Sequence, residues 1–194
     1  LHDPLRRQRQ MCIRDRSTRA TAIDTTAKTV ALSSDETLHY DHLLISTGSR
    51  PRKLSIDGSD LPGIHYLRTM DDVDGLRDGM QADANLVIVG GGYIGLEVAA
   101  VGRELGLNVH VLEMEERILQ RVTTPEMSAY YHQLHEGRGV NIHTNTAVTG
   151  FAGDGKVQEV LCGDKRFPAD IVIVGIGIIP NTELAEAAGI VCDN

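Results

Sequence analysis

The sequence predicts an α/β fold in which a domain with a parallel sheet is inserted into a second, partly represented domain. Three observations support this prediction. A strand, a glycine-rich loop, a helix and a second strand follow one another between Asn85 and Glu113. Short runs separated by turn residues indicate an antiparallel meander over residues 140–167. Two apolar strands that end alike, at Thr47-Gly48 and at Gly175-Ile176-Gly177, bracket that region.

Residues 1–16 differ from the rest of the chain. They are strongly basic and have no strand or helix pattern, and residues 11–16 resemble translated adapter sequence. We therefore exclude this anomalous segment from the fold prediction, as one excludes a fusion scar. The alternative is a basic arm for an anionic partner, which nothing else in the sequence supports.

Short β-strands are predicted from Ser17 onward. Runs rich in Thr and Val lie at Thr18–Ile23 and Thr29–Leu32, and a turn at Ser33–Glu36 leads into a third short run. Tyr40–Thr47 ends in an apolar run before a glycine, which is typical of a buried strand.

The segment Ser49–Arg52 contains a proline, does not easily continue a strand, and is predicted to be the crossover between domains. Leu54–Gly63 is the connecting segment. A short helix through about Gly79 then begins at Thr69, a plausible N-cap.

The region that follows has the pattern of a dinucleotide-binding fingerprint. Leu86–Val89 is a continuous apolar run, as expected of a parallel strand buried on both faces. In the loop Gly90-x-Gly92-x-x-Gly95, the first glycine allows a tight turn and the second lets backbone amides approach a pyrophosphate. The third lets the helix pack closely on the strand.

The predicted helix starts beside Ile94, and its N-terminus would face the phosphates together with the amides of the loop, including Gly91. Glu113 follows about 20 residues after the loop and is placed to accept hydrogen bonds from an adenosine ribose. The alternative is a glycine-rich turn between a buried strand and a helix. We favour the fingerprint because strand, loop, helix, strand and acid occur in the required order.

Further elements follow the fingerprint. Thr124 as N-cap and Pro125 at the first helical position predict a helix to about Glu136, ended by Gly137 or Gly139. The predicted strands beyond it are Val140–Thr144, Ala147–Phe151, Val157–Cys162, Lys165–Phe167 and Asp170–Val174. A last helix, Glu183–Ala188, follows Pro180-Asn181-Thr182.

The composition limits the class of function. The 194 residues contain 19 Lys and Arg against 27 Asp and Glu, and the net charge of −8 argues against a nucleic-acid partner. No apolar run approaches membrane-spanning length and no signal peptide is recognisable, so we expect a cytoplasmic protein without a membrane partner. The three cysteines, Cys12, Cys162 and Cys192, are far apart and favour neither a disulfide framework nor a zinc site.

Several segments resemble, in order and spacing, FAD-dependent ferredoxin reductases that use NADH. The likeness is to the putidaredoxin and rubredoxin reductase type, within the pyridine nucleotide-disulfide oxidoreductase fold, and it begins at about Thr18. The segments that carry it are Tyr40–Arg52, Tyr66–Thr69, Gly90–Ala100, Arg121–Thr123 and Gly175–Ala185.

The resemblance implies a partial FAD-binding domain at residues 17–51, an NAD(H)-binding domain at 52–174 and a return to the FAD-binding domain at 175–194. It also implies a fragment, because the first FAD fingerprint and the third domain of that family have no counterpart here.

The same resemblance implies cofactor contacts at four positions of the FAD side. Ala20 matches a backbone contact to the flavin adenine, and Arg68 matches an arginine that reaches FAD. Thr47 and Gly48 match the motif at a strand end beside FAD, although Ser46 replaces the usual Ala. Arg68 has an alternative interpretation as a solvated residue ahead of a helix cap.

At the nicotinamide end, Tyr93 matches a residue that shields the flavin until nicotinamide displaces it. Glu97 matches an acid near the carboxamide, and Gly175 matches backbone that lines the same pocket. Arg121 resembles a position near the adenosine end of NADH. The alternatives are a helix-dipole role for Glu97, ordinary packing for Tyr93 and a surface charge for Arg121.

The implied activity is hydride transfer from NADH to FAD, followed by single-electron delivery to a small iron–sulfur protein, a ferredoxin or rubredoxin. We expect the fragment alone to be inactive. Rival functions are the flavin module of a nitrite reductase, an NADH oxidase, or a non-enzymatic NADH-binding module. His132 and His135 form a candidate metal pair, but without a third ligand we expect exposed histidines and no metal.

Overall fold

The computed structural model describes residues 16–193, so the anomalous segment lies outside the described residues apart from Arg16. Its elements fall into two compact units. The smaller unit comprises the residues up to Ser49 and those from Pro180 onward, and the larger unit is Arg50–Ile179. The strands are β1 (Ala20–Asp24), β2 (Thr29–Leu32), β3 (Thr37–His39), β4 (Ser49–Pro51), β5 (Ile64–His65), β6 (Asn85–Val89), β7 (Asn108–Leu112), β8 (Asn141–His143), β9 (Gly150–Ala152), β10 (Glu159–Cys162), β11 (Lys165–Pro168), β12 (Ile171–Val174) and β13 (Ile178–Pro180). The helices are α1 (Met70–Asp74), α2 (Tyr93–Glu104), α3 (Pro125–Glu136) and α4 (Glu183–Ala187).

A parallel sheet of five strands, in the order β5-β12-β6-β7-β8, forms the centre of the larger unit. Alternate side chains of β6 face opposite sides of this sheet. Leu86 and Ile88 share a core with Ala99 of α2, whereas Val87 packs with Phe151 of the antiparallel sheet β9-β10-β11. The sheet is therefore covered by α2 on one face and by the antiparallel sheet on the other. The predicted α/β class, with a parallel sheet and an antiparallel meander, is confirmed. The assignment of Val140–Thr144 to the meander is wrong, because this segment forms β8 and pairs in parallel with β7.

Helix α3 has the predicted ends. The Thr124 side chain accepts the N–H of Met127 at 3.5 Å, Pro125 occupies the first turn, and Gly137 caps the C-terminus. The local sequence alone specifies these features, since each involves residues within one helical turn.

Helix α1 begins after Thr69 as predicted but ends at Asp74, before the predicted Gly79. Thr69 and Asp72 form a reciprocal capping box, in which the Asp72 carboxylate accepts the Thr69 N–H at 2.6 Å. This backbone hydrogen bond is the main reason that the pKa of Asp72 lies below its ordinary value. The helix ends early because Gly75 follows Asp74, and glycine disfavours a helix interior.

The smaller unit contains the antiparallel sheet β1-β2-β3 and the short helix α4, which contacts β1. The prediction of a buried strand over Tyr40–Thr47 is wrong. Residues 43–48 have no regular secondary structure, and Leu44 is 89% exposed. A buried strand needs a hydrogen-bonded neighbour and a covering layer, and the described residues supply neither.

Ser49–Pro51 forms β4 and pairs with β13, so the expectation that this segment would not continue a strand is also wrong. The pairing involves only two strands, where a proline without an N–H is tolerated at an edge. Within residues 16–193, no helix has the length and apolar character needed to cross a membrane.

Candidate dinucleotide-binding site

Three consecutive glycines join β6 to α2. Gly90 has a φ of +106°, and a Cβ atom at this position would lie 2.5 Å from the carbonyl oxygen of Gly175. The Gly90 N–H donates to the carbonyl of Leu112 at 2.8 Å and so ties the loop to the end of β7. Conformation and close approach therefore both require a glycine at position 90.

Gly91 and Gly95 also meet close neighbours, but Gly92 does not. A Cβ at Gly91 would lie 2.7 Å from Cγ2 of Ile118, and one at Gly95 would lie 2.2 Å from the Gly90 carbonyl oxygen. A Cβ at Gly92 would have no heavy atom within 4 Å, and its φ of −81° suits any residue. Packing in the described chain explains Gly91 and Gly95, whereas the open face at Gly92 leaves room for a ligand.

Gly92 is also the N-cap of α2, and no side chain among residues 16–193 caps the first turn. The first four N–H groups of a helix have no partner within the helix, and the helix dipole favours an anion at this end. These amides and the open space at Gly92 together fit the pyrophosphate of a dinucleotide.

The carboxylate of Glu113 is fixed beside this loop. One of its oxygens accepts the Gly91 N–H at 2.7 Å, and the other accepts the Glu115 N–H at 2.9 Å. The backbone N–H of Glu113 donates to the carbonyl of His143 at 2.8 Å. Since each carboxylate oxygen can accept a second hydrogen bond, Glu113 keeps acceptor capacity for the hydroxyl groups of a ribose.

A groove of about 520 Å³ joins most of the predicted nucleotide contacts. It is lined by Gly90, Gly91, Gly92, Glu113, Arg121 and Gly175, together with Arg52, Glu115, Gln120 and other residues. The groove therefore runs from the glycine loop past the end of β7, which is the crevice where α/β sheets of this kind bind ligands.

The two arginines that follow Glu113 have different surroundings. Arg117 is half-buried and donates to the carbonyls of Thr123 and Gln120 and to the hydroxyl of Ser128, so its guanidinium is committed inside the protein. The Arg121 side chain is 76% exposed, and its Nη2 lies 3.2 Å from a carboxylate oxygen of Glu115. Arg121 thus lines the groove as predicted but is already paired with an acid.

Tyr93 and Glu97 do not line this groove, although Tyr93 directly follows Gly92. Both are exposed residues of α2 that line a second cavity of about 480 Å³ between α2 and α3. Ile94 lies in the same first turn and is also exposed. Gly175 does not line the second cavity, so the described chain does not bring Glu97 and Gly175 into one pocket. Their roles at the nicotinamide remain predictions.

The residues predicted to contact FAD are divided between the units. Ala20, Thr47 and Gly48 belong to the smaller unit and Arg68 to the larger. The hydroxyl of Thr47 donates to the carbonyl of Asn181 at 2.6 Å, so local contacts account for its position. Within the described part of the smaller unit, no glycine-rich loop leads into a helix. The roles of these four residues at FAD remain predictions.

Sequence reasoning did not single out Gln120 or identify the contacts of Glu115. Both lie in an irregular segment between β7 and α3, which has no periodicity that could mark them. Nε2 of His132 lies 3.2 Å from Oε1 of Glu136, one turn along α3. Across residues 16–193, no group of three side chains suited to bind a metal ion is present.

The geometry agrees with the comparisons with known proteins. A family model for the pyridine nucleotide-disulphide oxidoreductases matches residues 5–194. The putidaredoxin reductase of Pseudomonas putida is 46% identical over 184 residues, which cover 91% of this chain and 44% of that protein. The ferredoxin–NAD(+) reductase component of the biphenyl dioxygenase system of Paraburkholderia xenovorans is 42% identical over 175 residues, covering 90% of this chain and 43% of that protein.

A solved covalent complex of putidaredoxin reductase with putidaredoxin superposes with a TM-score of 0.83 at 46% identity, covering 91% of this chain and 44% of that one. The chain thus spans less than half the length of the relatives it matches. Since the family model covers nearly all of its residues, the chain belongs to the pyridine nucleotide-disulphide oxidoreductase family.

Proposed function

We propose that the whole protein passes electrons from NADH through FAD to a small iron–sulfur protein of the ferredoxin or rubredoxin type, and that this chain supplies the NADH-binding domain. The observation that carries the proposal is the open face of Gly92 at the uncapped N-terminus of α2. Every other glycine of the fingerprint is explained by internal packing, so this one is available to a pyrophosphate.

In this proposal the residues of the larger unit bind and orient the dinucleotide. The first-turn amides of α2 hold the pyrophosphate, and Glu113 accepts from the adenosine ribose. Tyr93 and Glu97, on the first turns of α2, exclude water and orient the nicotinamide carboxamide. NADH supplies the hydride when it is bound.

The names of the relatives support the choice of electron acceptor. They are reductases of putidaredoxin and of ferredoxin, and one solved structure contains putidaredoxin itself. Ala20, Thr47, Gly48 and Arg68 would contribute contacts to FAD in the whole protein. We place the protein in the cytoplasm and assign it no membrane or nucleic-acid partner.

A chimera tests the proposal. Residues 18–194 replace the matching segment of P. putida putidaredoxin reductase, and flavin content and NADH-dependent reduction of putidaredoxin are measured. We expect a flavin-containing chimera that reduces putidaredoxin with NADH. A chimera that retains flavin but does not reduce putidaredoxin would contradict the proposal and favour one of the rival functions.

The same chimera tests Glu97. Glu97→Gln should slow flavin reduction by about tenfold or more without loss of flavin. The reason is that a nicotinamide held less well in position transfers its hydride more slowly. Glu104→Gln is the matched control, since Glu104 is another exposed carboxylate of α2. Equal rates for the two variants would leave the helix-dipole interpretation of Glu97.

A further inference from the structure

We propose that Glu115 determines nucleotide specificity by withholding Arg121 from the 2′-phosphate of NADPH. The inference rests on the proposed function, because it requires a dinucleotide in the groove beside Glu113. Glu115 lies two positions after Glu113, the acid of the fingerprint. In this proposal Glu115 acts through Arg121 and not through contact with the ribose.

The groove contains few cationic side chains. Among its described lining residues the arginines are Arg52 and Arg121, and there is no lysine. The backbone N–H of Arg52 donates to the Gly177 carbonyl at 2.9 Å, beyond the end of β12. Arg117 is committed to three acceptors inside the protein. Arg121 is therefore the cation that follows Glu113 in the chain and lines the groove.

Three neighbours, Arg121, Gln120 and Glu113, hold Glu115 in place. One of its oxygens pairs with Arg121 at 3.2 Å, and the other accepts Nε2 of Gln120 at 3.3 Å. Its backbone N–H donates to Glu113 at 2.9 Å. Oε1 of Gln120 is buried and has no hydrogen-bond partner. A rotated amide would turn that oxygen toward the Glu115 carboxylate, so the chain leaves one acceptor unsatisfied while it keeps Glu115 in place.

The consequence depends on the dinucleotide. The ribose hydroxyl of NADH needs only the remaining acceptor capacity of Glu113. A 2′-phosphate beside Glu113 adds about −1.5 to −2 charges and needs a cation. Arg121 is already paired with Glu115, and the carboxylate of Glu115 adds a second negative charge near the phosphate. Glu115 thus adds to discrimination against NADPH separately from Glu113.

Glu115→Gln tests this, because it removes the charge and retains the shape. We expect NADPH to bind this chain about fivefold more tightly, as for a partly exposed ion pair, while NADH changes by less than about twofold. Glu116→Gln is the matched control. It makes the same change of net charge at an exposed neighbour for which no pairing with Arg121 is seen. Isothermal calorimetry with each nucleotide gives the dissociation constants.

The arginine is tested by repeating Glu115→Gln in the Arg121→Ala background. In the Arg121→Ala background we expect Glu115→Gln to produce little of the gain in NADPH affinity. A merely structural role of Glu115 would not make this gain depend on Arg121. Provided that NADH still binds, three results would each overturn the inference. They are an equal gain in NADPH affinity in both backgrounds, an equal gain from Glu116→Gln, and no gain from Glu115→Gln. Absence of NADH binding to the unchanged chain would instead overturn the proposed function and this inference with it.

Discussion

The two units of this chain differ in how completely they bury their apolar residues. In the larger unit, strands β6 and β12 are buried almost throughout, and Ile88 has no exposed surface. In the smaller unit the buried hydrophobic residues are Val30 and Ala185, among the residues described. Leu44, in a run with the same strand-like composition as β6, is 89% exposed.

The difference shows that composition alone does not make a strand. Leu43–Ile45 is as apolar as Leu86–Val89, but only the second run has hydrogen-bonded neighbours on both sides and a layer over each face. The larger unit thus contains the partners that its elements require. We infer that it can bind a dinucleotide without help from the smaller unit.

The largest effect should separate the two apolar runs. Ile88→Ala leaves a cavity in a fully buried site and should lower the free energy of unfolding by about 3 kcal/mol. Leu44→Ala, at an exposed site, should change it by less than about 0.5 kcal/mol. Urea unfolding followed by far-UV circular dichroism measures both. Similar losses for the two variants would mean that Leu44 is buried in solution.

The next effect separates ligand binding from packing inside the larger unit. Gly92→Val should weaken NADH binding by about a hundredfold, or about 2.7 kcal/mol, because its side chain would occupy the space left for the pyrophosphate. Stability should hardly change, since a Cβ there meets nothing within 4 Å. Gly95→Val is the contrasting variant. Its Cβ would lie 2.2 Å from the Gly90 carbonyl oxygen, so this substitution should destabilise the fold. Calorimetry and urea unfolding together distinguish the two; unchanged NADH affinity in Gly92→Val would refute the assignment.

The local parts of this site could be predicted from sequence, and the long-range parts could not. The strand, loop and helix around Gly92 and the cap at Thr124 depend on residues close in the chain. Residues 43–48 form no strand because no neighbouring strand in the described part of the chain pairs with them, which the local sequence does not reveal. The pairing of β4 with β13 joins segments more than a hundred residues apart. The contact between Glu115 and Gln120 depends on the path of an irregular loop, which no periodicity reveals.

A smaller effect is expected for nucleotide preference in the larger unit. NADPH would place its 2′-phosphate beside Glu113, and two unit charges about 4 Å apart repel by roughly 4 kcal/mol at an effective dielectric constant near 20. Solvent screening reduces this to about 2 kcal/mol, or roughly thirtyfold weaker binding than NADH. Calorimetric dissociation constants test this expectation, and Glu113→Gln should narrow the difference. Equal constants for the two nucleotides would show that Glu113 does not face the ribose.

The smallest effect concerns pH. Nδ1 of His110 lies 3.0 Å from Nε2 of His143 in the larger unit, and Phe167 packs against both rings. Burial lowers the pKa of both histidines, and that of His143 is lowered further by His110 and Lys165. The folded state therefore disfavours protonation, so stability is present above the ordinary value of 6.5 and declines as pH falls below it.

The urea midpoint of the larger unit's transition should accordingly be lower at about pH 5.5 than at about pH 7.5. The double variant His110→Gln/His143→Gln should show a smaller difference between the two values. Identical midpoints of the unchanged chain at both values would contradict the expected linkage.

The central claim is that the larger unit is a self-sufficient NADH site, whereas the smaller unit does not hold FAD by itself. Separate calorimetric titrations of this chain with NADH and with FAD test it most directly. The account predicts weak, saturable binding of one NADH per chain and no stoichiometric binding of FAD. Absence of NADH binding, or one tightly bound FAD per chain, would contradict it.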